Sequence, residues 1–177
     1  MDRTGQQPVI LVGVGGSAAS LAALAWAAQE ARRRRVPLRI VQAWHPRQAR
    51  ALYAGIGPGV RDWPSEPAAA ERLGRDVRSV LGDTDGLDYA AELIDGSAER
   101  VLAEASATAS LLVLGTGSQS PVSHPDPRIT DRPVGPVIRA CLSHARCPVV
   151  IITPTIAAEY RLTGADLAYQ LSLAGRR

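Results

Sequence analysis

The chain has 177 residues, 46% of them hydrophobic and 21% charged, which is typical of one globular domain with a sizeable core. Phenylalanine is absent, so the core must be built from Val, Ile, Leu and Ala, as in a parallel sheet covered by alanine-rich helices. A net charge of +3 is too small to indicate nucleic-acid binding. The polar N-terminus and the lack of a long apolar run predict a cytoplasmic protein with no membrane partner.

The first half of the chain alternates apolar runs with helical patterns. Residues 9–14 form a continuous apolar run, which predicts a buried strand. Apolar residues at helical spacing follow over 17–35, where Ser17 is placed to cap the helix and the basic run at its end complements the helix dipole. Leu38–Trp44 is predicted to be a second strand, and the Pro- and Gly-rich residues 45–67 a long surface loop.

The second half continues the alternation. A helix is predicted over 68–81, a strand over 87–94, a helix after Ser97 with an incomplete capping box, and a strand over 110–118 that runs into a glycine turn. A fifth strand is predicted over 147–153. Before it, an apolar helical stripe predicts a last helix, with the core positions Val134, Val137, Ile138, Cys141 and Leu142.

Strands alternating with helices predict an α/β fold in one doubly wound domain, with a parallel sheet and helices on both faces. We expect a flexible N-terminus over 1–8, the domain over 9–153, and a C-terminal extension over 154–177. Cys141 is predicted to be a small buried hydrophobic residue in the last helix.

Two glycine-rich turns suggest where a ligand would bind. In open parallel sheets, ligands bind beyond the carboxyl ends of the strands, and the turns over 13–17 and 115–118 would meet there if strands one and four are neighbours. The helices that start at Ser17 and Gly135 would offer positive N-terminal ends. A dinucleotide site would also need an acid near the end of the second strand, but the residues there are Gln42, Ala43, Trp44 and His45. No P-loop motif is present.

Three segments together resemble the universal stress protein family: "VILVGVGGSAASLAALAWAAQEARRRRVPLRIVQAW", "LLVLGTGS" and "RACLSHARCPVVIIT". The resemblance covers roughly residues 8–153. It implies a five-stranded parallel sheet of order 3-2-1-4-5. It also implies a homodimer through the edge strand, here Val149–Ile152, and the extension 154–177 is expected to cover the partner.

One branch of that family binds ATP, and this sequence departs from the branch's signature. Gly15 stands where an aspartate is usual. Gly115 is kept, but Ser118 occupies the second glycine position, with Gly117 one residue early. The spacer to Gly135 is longer than nine residues, and Pro136 replaces a serine or threonine. Proline removes an N–H and a hydroxyl, both phosphate donors.

The lost donors predict a degenerate site with weak or absent ATP binding, although Arg128 and Arg132 in the long loop could still reach phosphate. We therefore expect a cytoplasmic, non-enzymatic, dimeric stress-response or regulatory protein. We expect no metal, ATP as the one candidate cofactor, and an unidentified protein partner. The alternatives are an ATP-binding switch of the same family and an enzyme similar to the adenine-nucleotide α-hydrolases. The candidate nucleotide crevice comprises Val14, Gly15, Ser17, Ala43, Gly115, Gly117, Ser118, Gly135 and Pro136.

Overall fold

The computed structural model describes residues 8–45, 65–82, 86–116 and 134–153. Its centre is a five-stranded parallel sheet in the order β3-β2-β1-β4-β5, which confirms the predicted fold class and strand order. The strands are β1 (Ile10–Gly13), β2 (Leu38–Trp44), β3 (Tyr89–Asp95), β4 (Leu111–Gly115) and β5 (Val149–Ile152).

Helices cover both faces of the sheet, as predicted. In the described part of the chain they are α1 (Ala18–Arg34), α2 (Glu66–Leu81), α3 (Ala98–Ala105) and α4 (Pro136–His144), with a 3-10 turn at Ser106–Thr108. None of these helices is long and apolar enough to cross a membrane.

Strand β1 divides the interior into two cores. All four of its residues are buried, and its side chains point alternately to the two faces of the sheet. Ile10 and Val12 pack with α1 and α2, whereas Leu11 packs with α3 and α4. On both sides β1 is paired in register, and Gly13 stands beside Val41 of β2 and Leu114 of β4. The end of β1 is therefore level with Val41 and Leu114, and β2 continues three residues further along the same edge, to Trp44.

The ends of β3 differ from the prediction over 87–94. Leu87 is buried but precedes the strand, which begins at Tyr89 and extends to Asp95. The cause is pairing, because β3 matches β2 residue for residue from Leu38 to Trp44. Strand β2 has the predicted bounds, and it sets the length of its neighbour.

The predicted apolar stripe of α4 is partly wrong. Ile138 and Cys141 are buried, but Val134 is 47% exposed and Leu142 is 57% exposed. Val134 lies before the helix, which starts at Pro136, and Leu142 follows Cys141 by about 100° around the helix axis. Only one narrow side of this short helix faces the sheet.

Cys141 is a fully buried residue, as predicted. Burial raises the pKa of its thiol to about 11, with smaller contributions from Glu99 and Cys147. The thiol therefore stays protonated and packs as an apolar group. The described residues hold no group of three metal-ligating side chains. The predicted extension over 154–177 lies outside the described residues, as does nearly all of the predicted N-terminal segment.

Candidate functional site

A cleft of about 680 Å³ opens beyond the carboxyl ends of β1, β2 and β4. Its floor is formed by the turn after β1, by the end of β2 and by the end of β4. One wall is the first turn of α1 and the opposite wall is the first turn of α4, with Leu102 of α3 between the sheet and α4. This is the edge at which open parallel sheets bind ligands.

The cleft brings together seven of the nine predicted crevice residues. They come from four separate parts of the chain. The seven are Val14, Gly15, Ser17, Ala43, Gly115, Gly135 and Pro136. Gly117 and Ser118 lie outside the described residues, as do Arg128 and Arg132.

The turn before α1 is closed by its own hydrogen bonds. The backbone N–H of Ser20 donates to Ser17 Oγ at 3.1 Å, so Ser17 is the helix cap that the sequence predicted. Ser20 Oγ in turn accepts from the N–H of Gly15 at 3.3 Å and donates to the carbonyl of Ser17 at 2.8 Å. Two N–H groups that could face an anion are therefore bonded within the chain.

Two adjacent glycines in this turn differ in whether the structure requires glycine at their position. Gly16 has a φ of +76°, a conformation that side chains rarely adopt. Gly15 has no such requirement, since a Cβ added there would have nothing within 4 Å. The position of the family's aspartate is therefore open to a side chain in this protein.

Gly115 lacks a side chain because α1 packs directly over it. A Cβ at this position would overlap the backbone of Ala19 and Ser20. The close approach of helix and strand explains the glycine without any ligand. A substitution of Gly115 would therefore disturb the packing of α1, and a loss of binding in that variant would not identify a ligand contact.

The first turn of α4 is open by comparison. Its N-cap is Gly135, which makes no side-chain cap, and Pro136 at the first helical position has no N–H to donate. Arg139, one turn further on, is exposed and donates to the carbonyl of Val134 at 3.2 Å. Among the described residues that line the cleft, Arg139 is the only charged one.

Several residues of the cleft were missed by sequence analysis. Leu102 reaches it only through the packing of α3, and no local pattern signals that. Gln42 lies within the predicted strand Leu38–Trp44 and Thr116 within the predicted strand 110–118, and their polar side chains were the available signal. Gln42 Oε1 and Thr116 Oγ1 are buried and have no hydrogen-bond partner within the described part of the chain. Each is an unsatisfied polar atom of a residue that lines the cleft.

The universal stress protein family model matches residues 8–153. The chain belongs to the universal stress protein family. It is similar to the universal stress protein Rv2623 of Mycobacterium tuberculosis, with 31% identity over 147 residues that cover 81% of this chain and 46% of the relative. A universal stress protein of Mycolicibacterium smegmatis is 29% identical, with 81% and 47% covered. This chain spans about half the length of these relatives.

Solved structures of universal stress proteins share the fold. UspA of Lactobacillus plantarum has 22% identity and a TM-score of 0.60, covering 84% of this chain and 99% of that one. A universal stress protein in complex with cAMP has 22% identity and a TM-score of 0.52, with 84% and 98% covered. The Archaeoglobus fulgidus universal stress protein in complex with dAMP has 23% identity and a TM-score of 0.53, with 82% and 97% covered.

Proposed function

We propose that this chain is a non-enzymatic, dimeric regulatory protein of the stress response, whose nucleotide cleft binds ATP weakly or not at all. The hydrogen bond from the Gly15 N–H to Ser20 Oγ carries this proposal. It uses a donor that would otherwise face the ligand, in the same turn that lacks the family's aspartate. Opposite, Pro136 offers no N–H. A triphosphate carries several negative charges, which charge-assisted hydrogen bonds from such donors would stabilise.

Three features support a remaining ligand-binding role for the cleft. It has the volume of a small-molecule site and it lies at the expected edge of the sheet. Two relatives of the same fold are described as complexes with cAMP and dAMP. We therefore assign Val14, Gly15, Ser17, Ala43, Gly115, Gly135 and Pro136 to a reduced nucleotide site, and extend the assignment to Gly117 and Ser118.

Calorimetry of the full chain with ATP and Mg²⁺ tests this proposal. We expect no saturable binding in the micromolar range and no release of phosphate or pyrophosphate. Tight binding would favour the ATP-switch alternative, and product release would favour an enzyme. The double variant Gly15→Asp/Pro136→Ser restores two groups of the family's signature. Position 15 has room for a side chain, and serine at position 136 gives α4 an N–H and a hydroxyl at its start. We therefore expect this variant to bind ATP more tightly than the natural chain.

Dimerisation through β5 is proposed on the family resemblance and on the geometry of the strand. Strand β5 lies at the edge of the sheet and is apolar throughout, which makes an unpaired edge an aggregation hazard. The carbonyls of Pro148 and Ile152 bond to β4. Because bonding alternates along a parallel strand, the backbone groups of Val149 and Ile151 face the open edge.

Sedimentation of matched proline variants tests the dimer. Ile151→Pro removes an N–H from the open edge of β5 and should shift the protein towards monomer. The control Ala91→Pro makes the same change at the other sheet edge, because Asp88 and Gly96 bond to β2 and Ala91 therefore faces outward. A monomeric natural chain, or equal effects of the two prolines, would contradict the proposed interface. Truncation after residue 153 should also weaken the dimer if the extension covers the partner.

A further inference from the structure

Among the described residues that line the cleft, only Arg139 is charged. Its exposed guanidinium donates a hydrogen bond to a backbone carbonyl, that of Val134. No ion pair involves it among the described residues. Its guanidinium therefore keeps most of its donors available at the rim of the cleft.

The position of Arg139 does not benefit α4 itself. The helix begins at Pro136, so Arg139 lies at the end of the first turn, where a cation opposes the helix dipole. No acidic residue in that turn compensates the charge. In α1 the arginines stand at the opposite end, where the dipole favours them. An anion in the cleft would supply what Arg139 lacks.

The rest of the cleft suits a ligand with a flat, weakly polar body. Its floor is apolar where Val41, Ala43 and Leu114 line it. The unsatisfied Oε1 of Gln42 is an acceptor, and the unsatisfied hydroxyl of Thr116 can accept or donate, so both match a ligand that brings N–H or O–H groups. The described lining of the cleft thus combines an apolar region that contains two unsatisfied oxygens with one positive charge at the rim, on Arg139.

We propose that Arg139 binds a single phosphate group of a nucleoside monophosphate, and so gives this cleft a preference for one phosphate over three. The inference rests on the proposed function, which places the nucleotide at this cleft. One guanidinium can form a bidentate pair with one phosphate. In the α1 turn the N–H groups of Gly15 and Ser20 are bonded internally, and Pro136 has no N–H, so these three positions offer no donor to further phosphates.

Calorimetry of the full chain with AMP, adenosine and ATP tests the assignment. The natural chain should bind AMP more tightly than either adenosine or ATP. Arg139→Gln should weaken AMP binding about tenfold or more and leave adenosine binding unchanged, since only the charge-assisted contact is lost. Arg139→Lys keeps the charge but loses the planar guanidinium, so its AMP affinity should lie between those of the natural chain and Arg139→Gln. Arg72→Gln, an exposed arginine of α2 away from the cleft, removes the same charge and should have no effect.

Three results would overturn the assignment. They are no AMP binding, equal AMP affinity of the natural chain and Arg139→Gln, and an equal loss in the Arg72→Gln control. In each case weak ATP binding would leave the proposed function standing. ATP binding tighter than AMP binding would contradict the assignment, and ATP binding that saturates in the micromolar range would contradict the proposed function as well. Unchanged melting temperatures of the variants establish that a lost affinity is not lost folding, and the exposure of Arg139 predicts that result.

Discussion

Helices α1 and α4 face each other across the cleft, and they begin differently. The first turn of α1 is capped by Ser17, and Ser20 ties the preceding loop to it. The first turn of α4 starts at Gly135 and Pro136 with no side-chain cap. One wall has bonded the N–H groups of Gly15 and Ser20 internally, whereas the other offers a proline and an arginine that makes no ion pair among the described residues. This asymmetry is the basis of the proposal that the cleft keeps the family fold and prefers a different ligand.

The other ends of the two helices differ in the same way. Glu30 near the end of α1 accepts from Arg33 at 2.7 and 2.8 Å and from Arg34 at 2.5 Å. The end of α4 is held from outside, because the N–H of Arg146 donates to Ser106 Oγ at 2.9 Å. The end of α1 is therefore stabilised by side chains of the same helix, and the end of α4 by a neighbouring turn.

The largest expected effect comes from the packing of α1 on the sheet. Gly115→Ala would push a methyl group into the backbone of Ala19 and Ser20, and we expect it to lower the free energy of unfolding by about 3 kcal/mol. Urea denaturation measures the loss. The control Gly135→Ala adds a methyl group at the start of α4, where nothing lies within 4 Å, and should cost less than about 1 kcal/mol. Equal losses would remove the distinction between the walls.

The second prediction concerns the support of α4 from outside. Ser106 is fully buried, and its hydroxyl donates to the carbonyl of Ala103 and accepts from Arg146. Ser106→Ala should cost about 2 kcal/mol, because a partly buried N–H loses this acceptor. The control Ser79→Ala removes a similar but exposed hydroxyl from α2 and should change stability by less than about 0.5 kcal/mol. A neutral Ser106→Ala would contradict the dependence of α4 on this contact.

The third prediction concerns the cap of α1. Ser17→Ala removes the acceptor for the Ser20 N–H and should cost about 1 kcal/mol of unfolding free energy. Denaturant titration of this variant against the natural chain gives the value. Ser17→Asp serves as the control, since aspartate caps helices as well as serine does and should retain the stability. Loss of stability in both variants would mean that Ser17 acts through something other than capping.

A smaller effect is expected at the end of α1. Hydrogen bonds from Arg33 lower the pKa of Glu30 to about 2, against the opposing effect of burial, and Arg34 adds to the lowering. A lowered carboxyl pKa stabilises the fold above the ordinary value near 4.5, and this stabilisation is lost as the pH falls towards 2. Glu30→Gln should therefore be less stable than the natural chain at pH 7 and equal to it near pH 2.

Melting curves across that pH range measure the difference between the two proteins. The effect at pH 7 should be smaller than that of Ser17→Ala, because both arginines are exposed and solvent screens the pairs. A stability difference that does not change between pH 5 and pH 2 would contradict the role of the Glu30 charge.

The smallest prediction is a gain. Gly135→Ser gives α4 the side-chain cap that it lacks, at a backbone geometry (φ −59°, ψ 159°) that resembles that of Ser17. We expect a few tenths of a kcal/mol of added stability, measured by the same denaturant titration. A lower stability of Gly135→Ser would mean that contacts in the cleft, and not helix capping, determine the backbone conformation at the start of α4.

Local patterns in the sequence were sufficient for the order of elements, for the cap at Ser17 and for the burial of Cys141. Each depends on residues close together in the chain: an apolar period, a serine before a helix, or a small apolar residue on one side of it. The glycine turns after β1 and β4 also placed the cleft, once the family resemblance had made those strands neighbours. Strand β2 was predicted to the residue because both its ends are marked by local changes in polarity.

Only the tertiary structure decided which side chains line the cleft and why. Leu102 and Arg139 reach it through the packing of helices, and Gly115 is glycine because α1 lies against it. Pairing with β2 sets the ends of β3, and the narrow contact of α4 exposes Leu142. These outcomes depend on contacts between residues far apart in the chain, and no local pattern in the sequence predicts such contacts.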